Sequence, residues 1–273
     1  MWPEGSAPGE AGLLDGSLGE VLQPQVSGLR AVDVAVEFGG VRALSGVTVE
    51  APRGSVTGLI GPNGAGKTTL FNVLTGLQRA DRGRVELDGR NVTAWSPHRR
   101  ARAGLARTFQ RLELFWSLSV EDNVRVAAES SVRWWEGPRR SAAGRRSAES
   151  AARRALASVG LEQVADWPVD RLPTGQARLV ELARAVARQP TVLLLDEPGS
   201  GLDDTEVAGL AAVLTQLAAD GMAVVLVEHD MGLVMQVCTT ITVLDGGRVL
   251  AAGAPAAIRQ DPAVQAAYLG SAA

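Results

Sequence analysis

The stretch that most constrains what this chain can fold into is "SVTGLIGPNGAGKTT", residues 55 to 69. An apolar strand breaks into G-x-x-x-x-G-K-[ST] and then into helix-forming sequence, the pattern of a loop wrapped around an anion at a helix N-terminus. Gly61, Gly64 and Gly66 give the backbone the freedom to turn around a phosphate, with Asn63 and Ala65 between them. The N–H groups from Gly64 to Thr69 are then placed to point at β- and γ-phosphate oxygens. Lys67 would reach between those phosphates, the Thr68 hydroxyl would ligate Mg²⁺, and Thr69 would add a further donor. Lys67 is also the only lysine among 273 residues, so a chain that otherwise uses arginine keeps a compact ammonium at this one position.

A second buried strand, "TVLLLDE", ends in Asp196 and Glu197. In an open parallel sheet ligands gather at the carboxyl ends of strands, so these acids are expected to face the phosphate loop. Asp196 would hold Mg²⁺ through water, and Glu197 is placed to act as general base on an attacking water. The alternative is a strand ending in a solvated acidic turn. "VVLVEHD" puts His229 just past another buried strand, the position of a γ-phosphate sensor, and "RTFQ" puts Gln110 where it would touch Mg²⁺ or water. His98, in the basic run "SPHRRAR", reads as surface.

Residues 1 to about 27 are rich in Gly, Pro, Ser and Glu and read as a flexible tail. "LRAVDVAVEF" and "VTVE" alternate as strands, and "RVELDGRNV" reads as a short hairpin. From Pro97 to about Leu172 the pattern is mostly helical, interrupted near 130–150 by a polar, arginine-rich stretch. Helix and strand then alternate from 174 onward, as expected of parallel strands with crossover helices, and "DGG" with "RVLAAG" makes a terminal hairpin. The fold class is therefore α/β.

A net charge of −3 gives no basic field for nucleic acid, and the arginine clusters at 99–107 and 139–154 read as solvated surface. The single cysteine, Cys238, permits no internal disulfide and reads as a small buried residue. No uncharged run reaches the ~18 residues that span a bilayer, and no secretory signal is apparent. The expected state is soluble or membrane-peripheral.

Taken in order, these motifs resemble the ATP-binding subunit of an ABC transporter: phosphate loop "GPNGAGKTT", Gln110, signature turn "LPTGQ", "VLLLDE", D-loop "SGLD" with Asp203, and switch His229. The resemblance implies a P-loop NTPase core over residues 28–270, with an antiparallel β subdomain and a helical subdomain at about 111–172. It implies ATP and Mg²⁺ as ligands and ATP hydrolysis as the activity. Phe38 matches the aromatic that stacks on adenine; the alternative is a core-facing phenylalanine. Two such subunits are expected to sandwich ATP head to tail, each lending its signature turn, here Thr174, Gly175 and Gln176, to the other's nucleotide. The family turn is usually Leu-Ser-Gly-Gly-Gln, whereas this chain has Pro173 and Thr174, so Thr174 is expected to supply the missing hydroxyl.

Finer resemblance, in "GPNGAGKTTLFNVLTG", "GLARTFQRLELFWSLSVEDNV" and "VEHDMGLVMQVC", is to importers for branched-chain amino acids, or related urea and amide systems. That implies membrane-spanning permease subunits, a second ATPase subunit, an external solute-binding protein, and a place at the cytoplasmic face of the plasma membrane. Leu112, Leu114, Phe115 and Trp116 are either the docking groove for the membrane subunit or helical-subdomain core. Trp134 and Trp135 either rest at the lipid interface or sit in a plain surface loop. The rival classes are a soluble ABC ATPase acting on DNA or the ribosome, and a regulatory subunit with little turnover.

Overall fold

The computed structural model describes residues 27–109, 112–131 and 142–269. The N-terminal tail up to residue 26, Gln110 and the Trp134–Trp135 loop lie outside these residues.

Among the described residues, ten strands form two sheets. Strands β1 (Gly28–Phe38), β2 (Val41–Pro52), β4 (Arg82–Leu87) and β5 (Arg90–Asn91) make an antiparallel sheet in the order β2-β1-β4-β5. Its tightest connection is "DG" between β4 and β5, where Asp88 and Gly89 take φ of 48° and 74°, the left-handed pair that a two-residue hairpin turn requires. The second sheet runs β10-β9-β3-β8-β7-β6, from β3 (Ser55–Ile60), β6 (Leu105–Arg107), β7 (Val192–Asp196), β8 (Ala223–Val227), β9 (Thr240–Asp245) and β10 (Arg248–Gly253). All its pairings are parallel except the β9–β10 hairpin.

The central strands read as continuous apolar runs because both faces are covered. Along β7, Val192 and Leu194 face one core with Leu59, Phe71 and the antiparallel sheet, while Leu193 and Leu195 face another with the helices. Helix α1 (Lys67–Thr75) leaves β3 directly. Helix α2 (Pro97–Arg102) leads into β6; α3 (Val120–Ser131), α4 (Ala142–Ser158) and α5 (Thr174–Val186) build the helical part; α6 (Asp204–Ala219) and α7 (Met231–Val237) are the crossovers. Two short helices, α8 (Pro255–Gln260) and α9 (Pro262–Leu269), close the described chain.

The segment from 97 to 172 is mostly helical, in α2, α3 and α4, and also holds β6, a parallel strand beside β7 that the sequence reading did not include. Three residues are too few to show a period, and only the neighbour makes them a strand. The surface reading of the 99–107 cluster is corrected at Arg100, which is 2% exposed. Its guanidinium donates to the Val73 and Leu74 carbonyls at 2.6 and 2.7 Å and to Thr93 O at 2.9 Å, capping the carbonyl end of α1. Burial lowers its pKa to about 10, which keeps it charged at neutral pH. Arg146, Arg153 and Arg154 of the second cluster are exposed as expected, and so is His98. Cys238 is buried against Gly58 of β3, and burial pushes its thiol up to about 12.

Candidate nucleotide site

The loop between β3 and α1 leaves its donors pointing forward. The first backbone bond of α1 is Leu70 N–H to Gly66 O at 2.9 Å, so the N–H groups of Lys67, Thr68 and Thr69 lie ahead of the helical ladder. Gly61, Gly64 and Gly66 take φ of 150°, 81° and 102°. A Cβ at Gly61 would meet Leu244 O at 2.1 Å and one at Gly66 would meet Ala43 O at 2.8 Å, so these glycines also let β9 and β2 back the loop. An added Cβ at Gly64 meets nothing within 4 Å, and Asn63, Gly64 and Thr68 are exposed on the open side. Ala65, buried, anchors the loop through Gly247 N–H to its carbonyl at 3.1 Å.

Lys67 is 8% exposed and bends back over the loop, donating to Gly61 O at 2.6 Å and Pro62 O at 3.0 Å. Burial lowers its pKa, opposed by the negative fields of Glu197 and Asp196. A cation from the loop after β3 and two acids from the end of β7 therefore lie within reach of one another's charge. Asp196, at the end of β7, accepts from Arg107 Nη2 at 2.8 Å, and Arg107 reaches Asn72 of α1 with its other amino group, also at 2.8 Å. Arg107 thus joins β6, β7 and the phosphate-loop helix, a role that "RTFQ" did not disclose.

Glu197 follows in a left-handed conformation, φ 51°, uncommon for a residue with a side chain and costing roughly 1–3 kcal/mol. Its N–H donates to Val227 O at 2.9 Å, and its Oε1 lies 3.0 Å from His229 Nε2. The strand order explains the meeting, since β8 lies between β3 and β7 and all three point their carboxyl ends the same way. The reading of Asp196–Glu197 as a merely solvated turn does not fit this convergence. Among the described residues no three His, Cys, Asp or Glu side chains cluster as a metal cage. Thr68 and Asp196 instead offer the sparse oxygen donors that Mg²⁺ uses when water and phosphates complete its shell.

Phe38 ends β1 and is 49% exposed beside Val41 at 70%, which excludes the core-facing alternative. At the signature turn, α5 begins at Thr174 with Pro173 as an N-cap that makes no side-chain bond, so the first N–H groups are uncapped. Thr174 is exposed and Gly175 buried, with the Glu206 carboxylate where a Cβ would go, 2.1 Å from that position. Gln176 is partly buried on the same turn. Asp203 caps α6, accepting from Glu206 N at 2.8 Å while Glu206 returns to Asp203 N at 3.1 Å. The apolar segment after residue 111 divides: Leu114 is core and Leu112 packs against it, whereas Phe115 and Trp116 are 46% and 48% exposed. No helix among the described residues is long and apolar enough to cross a membrane.

Residues 44–200 match the family described as ABC transporter, and residues 248–273 match that described as branched-chain amino acid ATP-binding cassette transporter. The high-affinity branched-chain amino acid transport ATP-binding protein BraF of Pseudomonas aeruginosa is 39% identical over 254 residues, 91% of this chain and 98% of that one. LivG of Salmonella typhimurium, of the same description, is 37% identical over 87% of this chain and 95% of its own. The lipopolysaccharide export ATP-binding protein LptB of Acidithiobacillus ferridurans is 37% identical over 82% of this chain and 89% of its own. Among solved structures, an ATP-binding cassette of an ABC transporter in its ADP conformation superposes with a TM-score of 0.78 at 29% identity, over 89% of this chain and 98% of that one. With a glycine-rich loop, two strand-end acids and a histidine held at the carboxyl ends of three adjacent strands, and with matches over most of its length, the chain belongs to the ATP-binding subunits of ABC transporters.

Proposed function

We propose that this chain binds Mg-ATP on the residue 61–69 loop and hydrolyses it to drive an importer for branched-chain amino acids from the cytoplasmic face of the membrane. The observation that carries the hydrolytic part is the Glu197–His229 contact of 3.0 Å across the ends of β7 and β8. Lys67 would exchange its bonds to Gly61 O and Pro62 O for phosphate oxygens, which its flexible stem permits. Thr68 and Asp196 would hold Mg²⁺, which neutralises charge on the β- and γ-phosphates. Glu197 accepts the proton of the attacking water; His229 holds Glu197 through its one N–H and, with ATP bound, would turn that N–H to the γ-phosphate. Gln110, beyond the described residues, is assigned to the same metal and water by resemblance alone, and Phe38 to the adenine face.

Thr174, Gly175, Gln176 and Asp203 of this chain would complete the nucleotide site of a second ATPase subunit, whose own signature turn would complete the site here, and the pair would sit on membrane-spanning permease subunits served by an external solute-binding protein. A solved ABC cassette described as dimeric, 25% identical with a TM-score of 0.70 over 83% of this chain and 98% of its own, supports the pairing. The branched-chain reading is favoured over export by the C-terminal match at 248–273 and by BraF and LivG, and a urea or amide importer is the alternative. Glu197→Gln is the test. ATP binding should persist while turnover falls at least ~100-fold, as for loss of a general base, and the protein should accumulate as an ATP-bound dimer. Turnover near wild type in that variant would remove Glu197 from the role. Leucine and urea uptake by the complete transporter then separates the two cargo readings.

A further inference from the structure

We infer that Glu228 is a positioning residue that sets the relative placement of Glu197 and His229, an inference that rests on those two forming the hydrolytic pair. Glu228 is 4% exposed, and its carboxylate is aimed at backbone. Oε1 accepts from Gly199 N at 2.5 Å, and Oε2 accepts from His229 N at 2.9 Å and Asp230 N at 3.4 Å. One carboxylate therefore ties the loop two residues beyond Glu197 to the backbone of His229 itself.

The tie stands where regular pairing stops. The β7–β8 ladder ends at Asp196 opposite Val227. Glu197 N–H still finds a backbone acceptor in Val227 O, but Gly199 N–H is met by the Glu228 side chain. The chain between them turns through Glu197 in its left-handed conformation and closes with Ser200 N–H on Glu197 O at 3.2 Å. Such a turn persists only where its surroundings hold it, and the Glu228 carboxylate is the group that spans the gap. Gly199 is shaped for this contact, since a Cβ there would come within 2.9 Å of Glu228 Oε1.

The chemistry specifies a carboxylate over an amide. An ionised carboxylate only accepts, whereas glutamine presents one acceptor and one NH₂ group. With N–H donors facing both oxygens, either orientation of an amide sets N–H against N–H. Glu228→Gln therefore keeps the shape and breaks one arm of the tie.

The test uses the full-length chain. Displacing a reacting group by about 1 Å costs up to ~100-fold, so kcat for ATP hydrolysis should fall about tenfold or more in Glu228→Gln, with KM for ATP within about twofold of wild type. Amide exchange at Gly199 should quicken. In single-turnover measurements on a His229→Ala background, adding Glu228→Gln should cost less than about twofold, because the pair it positions is already broken. A purely structural role would add its loss in full and overturn the inference, as would wild-type kcat in Glu228→Gln. Gly199→Ala crowds the same contact from the other side and is read by the same criteria should Glu228→Gln fail to fold. Glu197→Gln run in parallel separates the two levels: wild-type turnover there overturns the pair and this inference together, whereas loss there with full turnover in Glu228→Gln overturns this inference alone.

Discussion

Thr174 stands exposed at the first position of α5, behind a proline that caps nothing. A hydroxyl contact to a charged phosphate contributes roughly 1.5–3 kcal/mol, so Thr174→Ala should weaken ATP-driven dimerisation and turnover by about tenfold or more. Pro173→Ser in that background should restore part of the loss, since serine returns a hydroxyl one residue earlier. Equilibrium sedimentation with ATP and steady-state turnover check both; an unchanged Thr174→Ala would end the substitute role. Residues of this kind were legible because their neighbours are diagnostic: Lys67 stands in a glycine loop and His229 beyond an apolar run. Arg100, Arg107 and Glu228 were not. A charged residue whose partners lie far along the chain reads as solvated, and only the α1 carbonyls, Asp196 and the Gly199 N–H, all distant in sequence, give these three their partners.

Helix α5 shows how the signature turn is connected to the rest of the cassette. Glu181, 7% exposed, accepts from Phe109 N at 3.4 Å and from the Glu113 backbone, so one buried carboxylate on α5 holds both of these residues. Burial raises its pKa. Arg184, one turn on, donates to Glu113 O and lies over the Phe115 ring at 5.1 Å. Asn123, fully buried, fastens the next turn by accepting from Phe115 N and donating to the Phe115 and Ser119 carbonyls. The helix that opens with the signature turn thus grips the segment that presents Phe115 and Trp116 to solvent. Because Phe115 is 46% exposed, Phe115→Ala should shift unfolding by no more than about 0.5 kcal/mol while uncoupling ATP turnover from transport in the complete transporter. Strong destabilisation with coupling intact would reassign it to the core. The sequence left this pair of readings open because "LELFW" carries no period that separates Leu114, which is buried, from the two aromatics after it.

At the scale of the whole molecule, two hydrophobic cores among the described residues share one sheet, and Asp88 links the antiparallel sheet to it. Its carboxylate accepts from Gly28 N at the start of β1, from both Arg53 donors at 2.9 and 2.8 Å, and from Thr191 Oγ1 at 3.1 Å just ahead of β7. Hydrogen bonds from Arg53 foremost hold the Asp88 pKa below the ordinary carboxylate value against the cost of burial. An acid whose pKa is depressed by folding contributes stability that is present above its unfolded pKa and lost as pH falls through its folded one. Asp88→Asn isolates that contribution, because asparagine tolerates the left-handed turn at φ 48° as well as aspartate does. The pair is partly exposed, so the expected loss at neutral pH is only about 1–2 kcal/mol. Denaturant unfolding from pH 7 down to pH 3 should show the variant weaker at the top of that range and converging on wild type toward the bottom. A difference that stayed constant across the range would mean that the shape of the turn, and not the charge on Asp88, joins the two sheets.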